Sequence, residues 1–366
     1  MKDRTNLLDL NRTAMIRFFT QIGEKPFRAS QVLKWIYQAG VSDLDQMTNL
    51  SKDLRTKLKK IAYIRAPEVK QEQVSKDGTH KWLLEIDGGN CVEAVFIPEE
   101  VRGTLCVSSQ VGCPLDCKFC STGKQGFNKN LSVGEIIGQI RIANQRLGWN
   151  TEDRQPVTNV VMMGMGEPLL NFDNVVSAMD LMMDDLAYGL SRRRVTLSTS
   201  GIVPRIDQLK QVSPVSLAIS LHAPNDEIRE KIMPINKTYP LDKLLDACRR
   251  FTEVKESHNH ITFEYVMLDR INDSEDNARE LAKRLQGIPA KINLIPFNPF
   301  PESGYQCSSR GVIDRFKTIL IESGLITVTR KTRGDDIDAA CGQLVGQVVP
   351  KAERYRKESS SQGEAA

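Results

Sequence analysis

From Gly103 to Thr329 the chain alternates short apolar runs of strand type with segments of helical periodicity. No other feature constrains the fold as strongly. Repeated strand–helix units need crossover connections, and these put the strands in a parallel sheet with helices outside it. The strand-like runs are 104–108, 159–163, 194–199, 216–221, 261–268, 291–296 and 326–329. Between the first two, Ser132-Val-Gly-Glu135 has the spacing of a capping box and opens a helix through 143. Further helical patterns cover 174–183, 241–251, 274–285 and 310–323. An open doubly wound sheet and a closed or partly closed (βα) barrel both satisfy this alternation. A complete eightfold barrel strains the available length. In either α/β architecture ligands gather at the C-terminal ends of the strands.

The first hundred residues have a different rhythm. Residues 1–62 carry three helical patterns, at 13–19, 29–37 and 50–61, interrupted by Gly23 and Gly40. The third presents Lys52, Arg55, Lys57, Lys59 and Lys60 on its polar side. Residues 63–98 contain three short strand-like runs with Asp77-Gly78 and Asp87-Gly88-Gly89 as turn signals, the pattern of a small antiparallel extension. The core then spans 99–348, and 349–366 is a charged tail. With 40% apolar and 26% charged residues the chain can bury a sizeable core, which excludes wholesale disorder and collagen-like architecture. No apolar run reaches the roughly 18 residues of a membrane span. The start, Met1-Lys2-Asp3-Arg4, lacks a signal-peptide core, so a cytoplasmic protein is expected. The net charge of +4 is compatible with nucleic acid but does not select it.

Eight cysteines in such a chain point to metal ligands or reactive thiols rather than structural disulfides. Three fall in Cys113-Pro-Leu-Asp-Cys117-Lys-Phe-Cys120, directly after the first core strand. Gly112, Pro114 and Gly123 allow that loop to wrap a small object. A structural zinc wants four ligands, usually in separated pairs, and no fourth Cys or His is near. The zinc nucleobase deaminases need H-x-E before P-C-x-x-C, and H-x-E is absent. A [4Fe–4S] cluster on three thiolates would keep one iron free for a substrate or cofactor.

C-x3-C-x2-C with Phe119 before its last cysteine resembles the signature of the radical S-adenosylmethionine (SAM) enzymes. The resemblance implies a partial (βα)6-type barrel in an α/β chain, with an N-terminal helical accessory domain and a small antiparallel β extension. It implies Cys113, Cys117 and Cys120 as ligands of a [4Fe–4S] cluster whose open iron chelates SAM. It also implies SAM contacts at Gly166 and Glu167 in Met163-Gly-Met-Gly-Glu-Pro168, at Ser198, at Ser220, Leu221 and His222, and at Asn298. Each of these closes a strand-like run, so all share one rim.

The stretches 103–113, 121–123, 163–169, 195–201, 217–223 and 340–342 extend the likeness to the RlmN/Cfr group of RNA methyltransferases, on the RlmN side. That likeness implies methylation of adenine C2 in 23S rRNA at the peptidyl-transferase centre and in tRNA 3′ of the anticodon. Two SAM molecules serve each turnover. It implies Cys341 as the S-methylcysteine intermediate, Cys106 as resolving thiol in a transient disulfide with Cys341, and Glu93 as proton acceptor. It further implies an electron donor such as flavodoxin or ferredoxin. A monomer is expected. Arg330, Lys331 and Arg333 precede Cys341, and cations nearby lower a thiol pKa. RNA contacts are expected on the basic helix and at Arg192-Arg193-Arg194, through phosphates, with the target adenine drawn out of its stack. Two readings compete: a Cfr-type enzyme methylating adenine C8, and a non-catalytic RNA-binding protein with a structural metal. Cys248 lies in a leucine-rich helix and reads as core; Cys91 and Cys307 suggest no role.

Overall fold

The computed structural model describes residues 4–149, 155–253, 260–300 and 303–347. The tail expected over 349–366 lies outside them.

Fourteen strands are described. Two are a short parallel pair, β1 (Thr5–Asn6) and β2 (Ala62–Tyr63), and two form a small antiparallel pair, β7 (Gln110–Gly112) and β8 (Phe127–Asn130). The other ten build one sheet: β3 (Glu68–Val74), β4 (His80–Glu85), β5 (Cys91–Pro98), β6 (Gly103–Cys106), β9 (Asn159–Met162), β10 (Val195–Thr199), β11 (Ser216–Ser220), β12 (Ile261–Met267), β13 (Ala290–Pro296) and β14 (Ile326–Thr329). Their order is β14-β13-β12-β11-β10-β9-β6-β5-β4-β3. From β6 through β14 all pairings are parallel, and β3 to β6 are joined antiparallel. The α/β core therefore has seven parallel strands, in line with the radical SAM type of partial barrel. The antiparallel extension is continuous with that sheet through β5–β6.

Helices α1 (Arg12–Gln21), α2 (Phe27–Leu33) and α3 (Lys52–Ile61) form the N-terminal unit. Asn11 and Ser51 cap α1 and α3 through their side chains. Each satisfies one of the amide groups a helix start leaves open. After Leu33 the helix widens into a π-turn over Lys34–Gln38. In the core, α4 (Ser121–Lys124), α5 (Val133–Arg146), α6 (Phe172–Met183), α7 (Val203–Val212), α8 (Asp226–Ile232), α9 (Leu241–Thr252), α10 (Glu275–Arg284) and α11 (Arg310–Glu322) follow. The Ser132/Glu135 capping box on α5 is present in both directions. Helices α7 and α8 and the β7–β8 pair were not expected. The last two are too short for periodicity to show, and α7 is half polar, with Pro204 in its first turn.

The helical unit shares one hydrophobic core with the sheet, from Leu7 and Phe19 through Leu105 to Leu344. Two glycines of α5 permit the close approach. A Cβ at Gly134 would stand 2.9 Å from Asp9 Oδ1, and one at Gly138 would stand 2.4 Å from Pro67 Cδ. The Gly134 amide instead donates to Asp9 at 2.7 Å. Arg12 pairs with Asp184 and Asp185 across the same junction.

Candidate active site

The parallel strands end around a cavity of about 1020 Å³, mouth included. Its wall holds Cys113, Cys117 and Cys120 together with Gly166, Glu167, Ser198, Ser220, His222, Asn298 and Cys341. Ten of the thirteen residues singled out from sequence thus meet at one place. Leu221, Cys106 and Glu93 do not line it.

The cysteine loop is built by backbone geometry. Gly112 has φ +66°, and a Cβ there would lie 1.8 Å from the Gly126 carbonyl oxygen, so only glycine lets the two strands of the β7–β8 pair meet. Asp116 turns the chain with φ 50°. The Cys120 amide donates to the Cys117 carbonyl at 3.1 Å, and the Lys118 amide to Ile232 at 2.9 Å. Burial raises all three thiols, that of Cys113 to about 12. Cys117 is pushed up further by its neighbours Cys113 and Cys120. Three reduced, soft donors facing one cavity suit an iron–sulfur cluster, which would bind them as thiolates and displace their protons. No three His, Cys, Asp or Glu side chains among the described residues are close enough to hold a single metal ion. The donor set therefore fits a cluster of several irons better than a lone zinc.

The opposite wall comes from β9, β10 and β11. Gly166 has φ +97°, and a Cβ there would meet Gln110 at 2.5 Å. The Gln110 side chain accepts from the Glu167 amide at 2.8 Å. The buried Glu167 carboxylate accepts from the amides of Leu169 and Ser200 at 3.0 and 2.8 Å. Burial raises its pKa, and these bonds oppose the rise. His222 adopts φ 60°. Its Nδ1 accepts from the Val266 amide at 3.0 Å, so the neutral ring carries its proton on Nε2. Burial, aided by the Arg229 cation, lowers His222 to about 3. The ring meets Phe119 edge-on, centroids 4.6 Å apart.

Leu221, expected among the SAM contacts, turns its side chain into the core. Its carbonyl accepts from Arg229 Nε at 3.0 Å. Arg229 also donates to the carbonyls of Ser200 and Ser220 at 2.7 and 3.1 Å, tying the ends of β10 and β11 together. This fully buried arginine was missed because it sits on the short α8.

Cys341 lies beyond β14, in a loop with left-handed residues Gly334 and Asp338. It is solvent-accessible and lines both the main cavity and a smaller one that holds Arg330, Lys331 and Arg333. Two bonds stitch its loop to the cysteine loop. The Ser121 amide donates to the Gly342 carbonyl at 2.8 Å, and Thr122 Oγ1 donates to the Leu344 carbonyl at 2.7 Å. Asn298 Nδ2 donates to the Cys341 carbonyl at 3.3 Å. Cys106 ends β6; a charge on Cys341 raises its thiol, and Arg330 acts on both. Burial raises Cys106 to about 12. Cys341 is also raised by desolvation, with Arg330 opposing. The upstream cations therefore do not produce a net lowering. Arg330 is held by Glu264 at 3.5 Å, and Arg333 is turned to Asp77 at 3.7 Å. Glu264 was missed, although a carboxylate inside Ile261-Thr-Phe-Glu-Tyr-Val-Met267 is a visible break in an apolar strand.

Glu93 is buried on β5 rather than presented to the cavity. Its Oε1 lies 3.4 Å from Lys81 Nζ, and its Oε2 accepts from the Val345 amide at 2.9 Å. It is thereby tied to the Cys341 loop. Of the cations on α3, Lys59 pairs with Asp45, Lys57 donates to the Ile22 carbonyl and Arg55 to the Asp45 carbonyl. Three of the five named there are thus used inside the helical unit. Arg192, Arg193 and Arg194 are exposed, but they precede β10 and so lie at the end of the sheet opposite the cavity.

Residues 5–64 match the N-terminal domain of ribosomal RNA large subunit methyltransferases, and residues 107–282 match the radical SAM superfamily. A curated relative, the dual-specificity RNA methyltransferase RlmN of Marinobacter nauticus, is 57% identical over 97% of this chain and 96% of its own. The chain belongs to the RlmN family of radical SAM RNA methyltransferases. The crystal structure of a radical SAM methyltransferase from Sphaerobacter thermophilus agrees with a TM-score of 0.86 at 40% identity, covering 93% of this chain and 99% of that one. Membership of the family implies SAM and a [4Fe–4S] cluster as cofactors. No helix among the described residues is long and apolar enough to cross a membrane.

Proposed function

We propose that the chain methylates C2 of adenine in 23S rRNA at the peptidyl-transferase centre and in tRNA 3′ of the anticodon, by way of a methylated cysteine. C2 is an electron-poor, amidine-like carbon, so it cannot take a methyl cation directly. When bound by Cys113, Cys117 and Cys120, the cluster together with SAM supplies a 5′-deoxyadenosyl radical as hydrogen-abstracting agent.

The protein's own residues do the rest. The Cys341 thiolate accepts a methyl group from one SAM, while a second SAM is consumed in radical formation. The S-methyl group of Cys341 loses a hydrogen atom, and its carbon joins adenine C2. Glu93 accepts the C2 proton. The unpaired electron left by that addition passes to the one-electron carrier; the Cys106 thiolate then attacks the Cys341 sulfur, the sulfur–carbon bond breaks with its electron pair on the methylene carbon, that carbon takes up a proton to become the methyl group, and a transient disulfide remains. A one-electron donor such as flavodoxin or ferredoxin supplies reducing equivalents, and the enzyme works as a cytoplasmic monomer. Residues 1–62 and 63–98 are assigned to RNA contact, and 99–348 to the radical SAM core.

The observation that carries this reading is the position of Cys341. It is accessible, shares a cavity with the three loop thiols, and shares the Arg330 cation with a second thiol, Cys106. Digestion of RNA treated with the reconstituted enzyme tests it. 2-Methyladenosine is expected; 8-methyladenosine would assign the chain to C8 chemistry instead.

A further inference from the structure

A second cavity lies between the helical unit and the core, enclosing about 800 Å³ with its mouth. Tyr37, Tyr188 and Trp149 supply its aromatic lining, and Arg141 and Asn144 its polar lining. Residues 144 and 149 lie at the C-terminal end of α5 and beyond it, ahead of β9; Tyr188 precedes β10. The cavity is therefore at the end of the sheet opposite the thiols, about 15 Å away along a strand of this length.

Its polar groups are incompletely matched. Arg141 is only 8% exposed, yet no carboxylate among the described residues is within ion-pair distance of it. Its Nη1 donates to the Ile36 carbonyl at 2.6 Å, and its Nη2 to the Gly40 carbonyl and Ser42 Oγ at 2.5 and 2.8 Å. Those three bonds leave two of its five N–H groups without an acceptor among the described residues. A buried cation of this kind is costly unless an anion compensates it. The Tyr37 hydroxyl and the Asn144 Nδ2, both on residues 1% exposed, also have no hydrogen-bond partner among the described residues. Tyr37 and Tyr188 meet at 5.3 Å and 63°, forming an aromatic corner.

We propose that this cavity binds a nucleotide, its base against the Tyr37, Tyr188 and Trp149 rings and its phosphate on Arg141. Aromatic faces stack any base, Asn144 and Tyr37 offer edge hydrogen bonds, and Arg141 supplies the missing charge pairing. The exposed Arg192, Arg193 and Arg194 follow Tyr188 closely in sequence, at the same end of the sheet, and favour a nucleotide that is part of an RNA strand.

The test is calorimetric titration of the full-length holoenzyme, with the radical SAM cavity saturated by SAM, using AMP, adenosine and a six-nucleotide single-stranded RNA. One equivalent of AMP is expected to bind, with adenosine at least tenfold weaker. Arg141→Gln and Trp149→Ala should each weaken AMP at least tenfold, and Arg141→Lys less. SAM cleavage in the same preparations reports whether the main site and the fold are intact. Trp149→Ala keeps the test usable if Arg141→Gln does not fold. RNA competing with AMP assigns the source to a strand; AMP binding without competition assigns it to a free nucleotide. No AMP binding with SAM cleavage intact, adenosine binding equal to AMP, or binding indifferent to both variants would overturn the proposal.

Discussion

The Ser121 amide, one residue past the last loop thiol, donates to the carbonyl of Gly342, one residue past Cys341, at 2.8 Å. The thiols and the accessible cysteine are thus fixed relative to each other by main chain, and Thr122 adds the bond to Leu344. Thr122→Val keeps the shape and leaves the Leu344 carbonyl without its donor. It should cost about 1–2 kcal/mol. Faster hydrogen exchange over 341–347 and a lower urea midpoint would register it; unchanged exchange would show that the stitch holds nothing.

Arg330 should set how readily Cys341 ionises. Desolvation raises this thiol and Arg330 opposes the rise, so removing the cation raises it further. One pKa unit changes the thiolate fraction about tenfold at pH below the pKa. Arg330→Met should therefore slow methylation of Cys341 at neutral pH. The rate should climb with pH in both enzymes, the variant lagging until higher pH, while Arg330→Lys keeps most of the rate. A pH profile identical to wild type would contradict this.

How much of this was legible in the sequence depends on the range of the interaction. The strands at 159–162 and 261–267 announced themselves by apolar runs, and the three loop thiols by spacing. Gly166, Ser198 and His222 were legible because each ends such a run. Arg229 was not: its role rests on carbonyls of Ser200, Ser220 and Leu221, which only the fold brings to it. For the same reason the sequence does not show which way the Leu221 side chain turns; it turns into the core. The setting of the Cys341 thiol also depends on tertiary structure, because Arg330, eleven residues upstream, is outweighed by desolvation of the thiol.

Asp77 is a tether between the β3–β4 turn and the Cys341 loop. Its carboxylate accepts from the amides of Thr79 and Gly334 at 3.0 and 3.2 Å. Burial raises its carboxyl, but these bonds and one from Ser75 outweigh that and hold it at about 2. A depressed carboxyl stabilises the fold fully above its unfolded pKa, near 4, and loses that contribution as pH falls toward 2. Asp77→Asn should cost about 1 kcal/mol at pH 7, discounted for its partial exposure, and little at pH 2.5. Urea midpoints at both pH values check the difference; an equal loss at both would refute the linkage.

The two reactive cysteines should fail differently. Cys106→Ala should trap covalent protein–RNA adducts, because nothing resolves the Cys341 sulfur. Cys341→Ala should form none. Denaturing gels of reactions with labelled RNA read this directly, and equal adduct in both variants would reverse or remove the assigned roles.

The central claim is that Cys341 carries the methyl group before RNA does. Mass spectrometry of peptides from the purified protein, isolated with its cluster and exposed to SAM, measures this without any RNA. The account predicts a 14 Da increase on the peptide containing Cys341, absent from those containing Cys106, Cys91 and Cys307. An unmodified Cys341 in protein that still methylates RNA would contradict it.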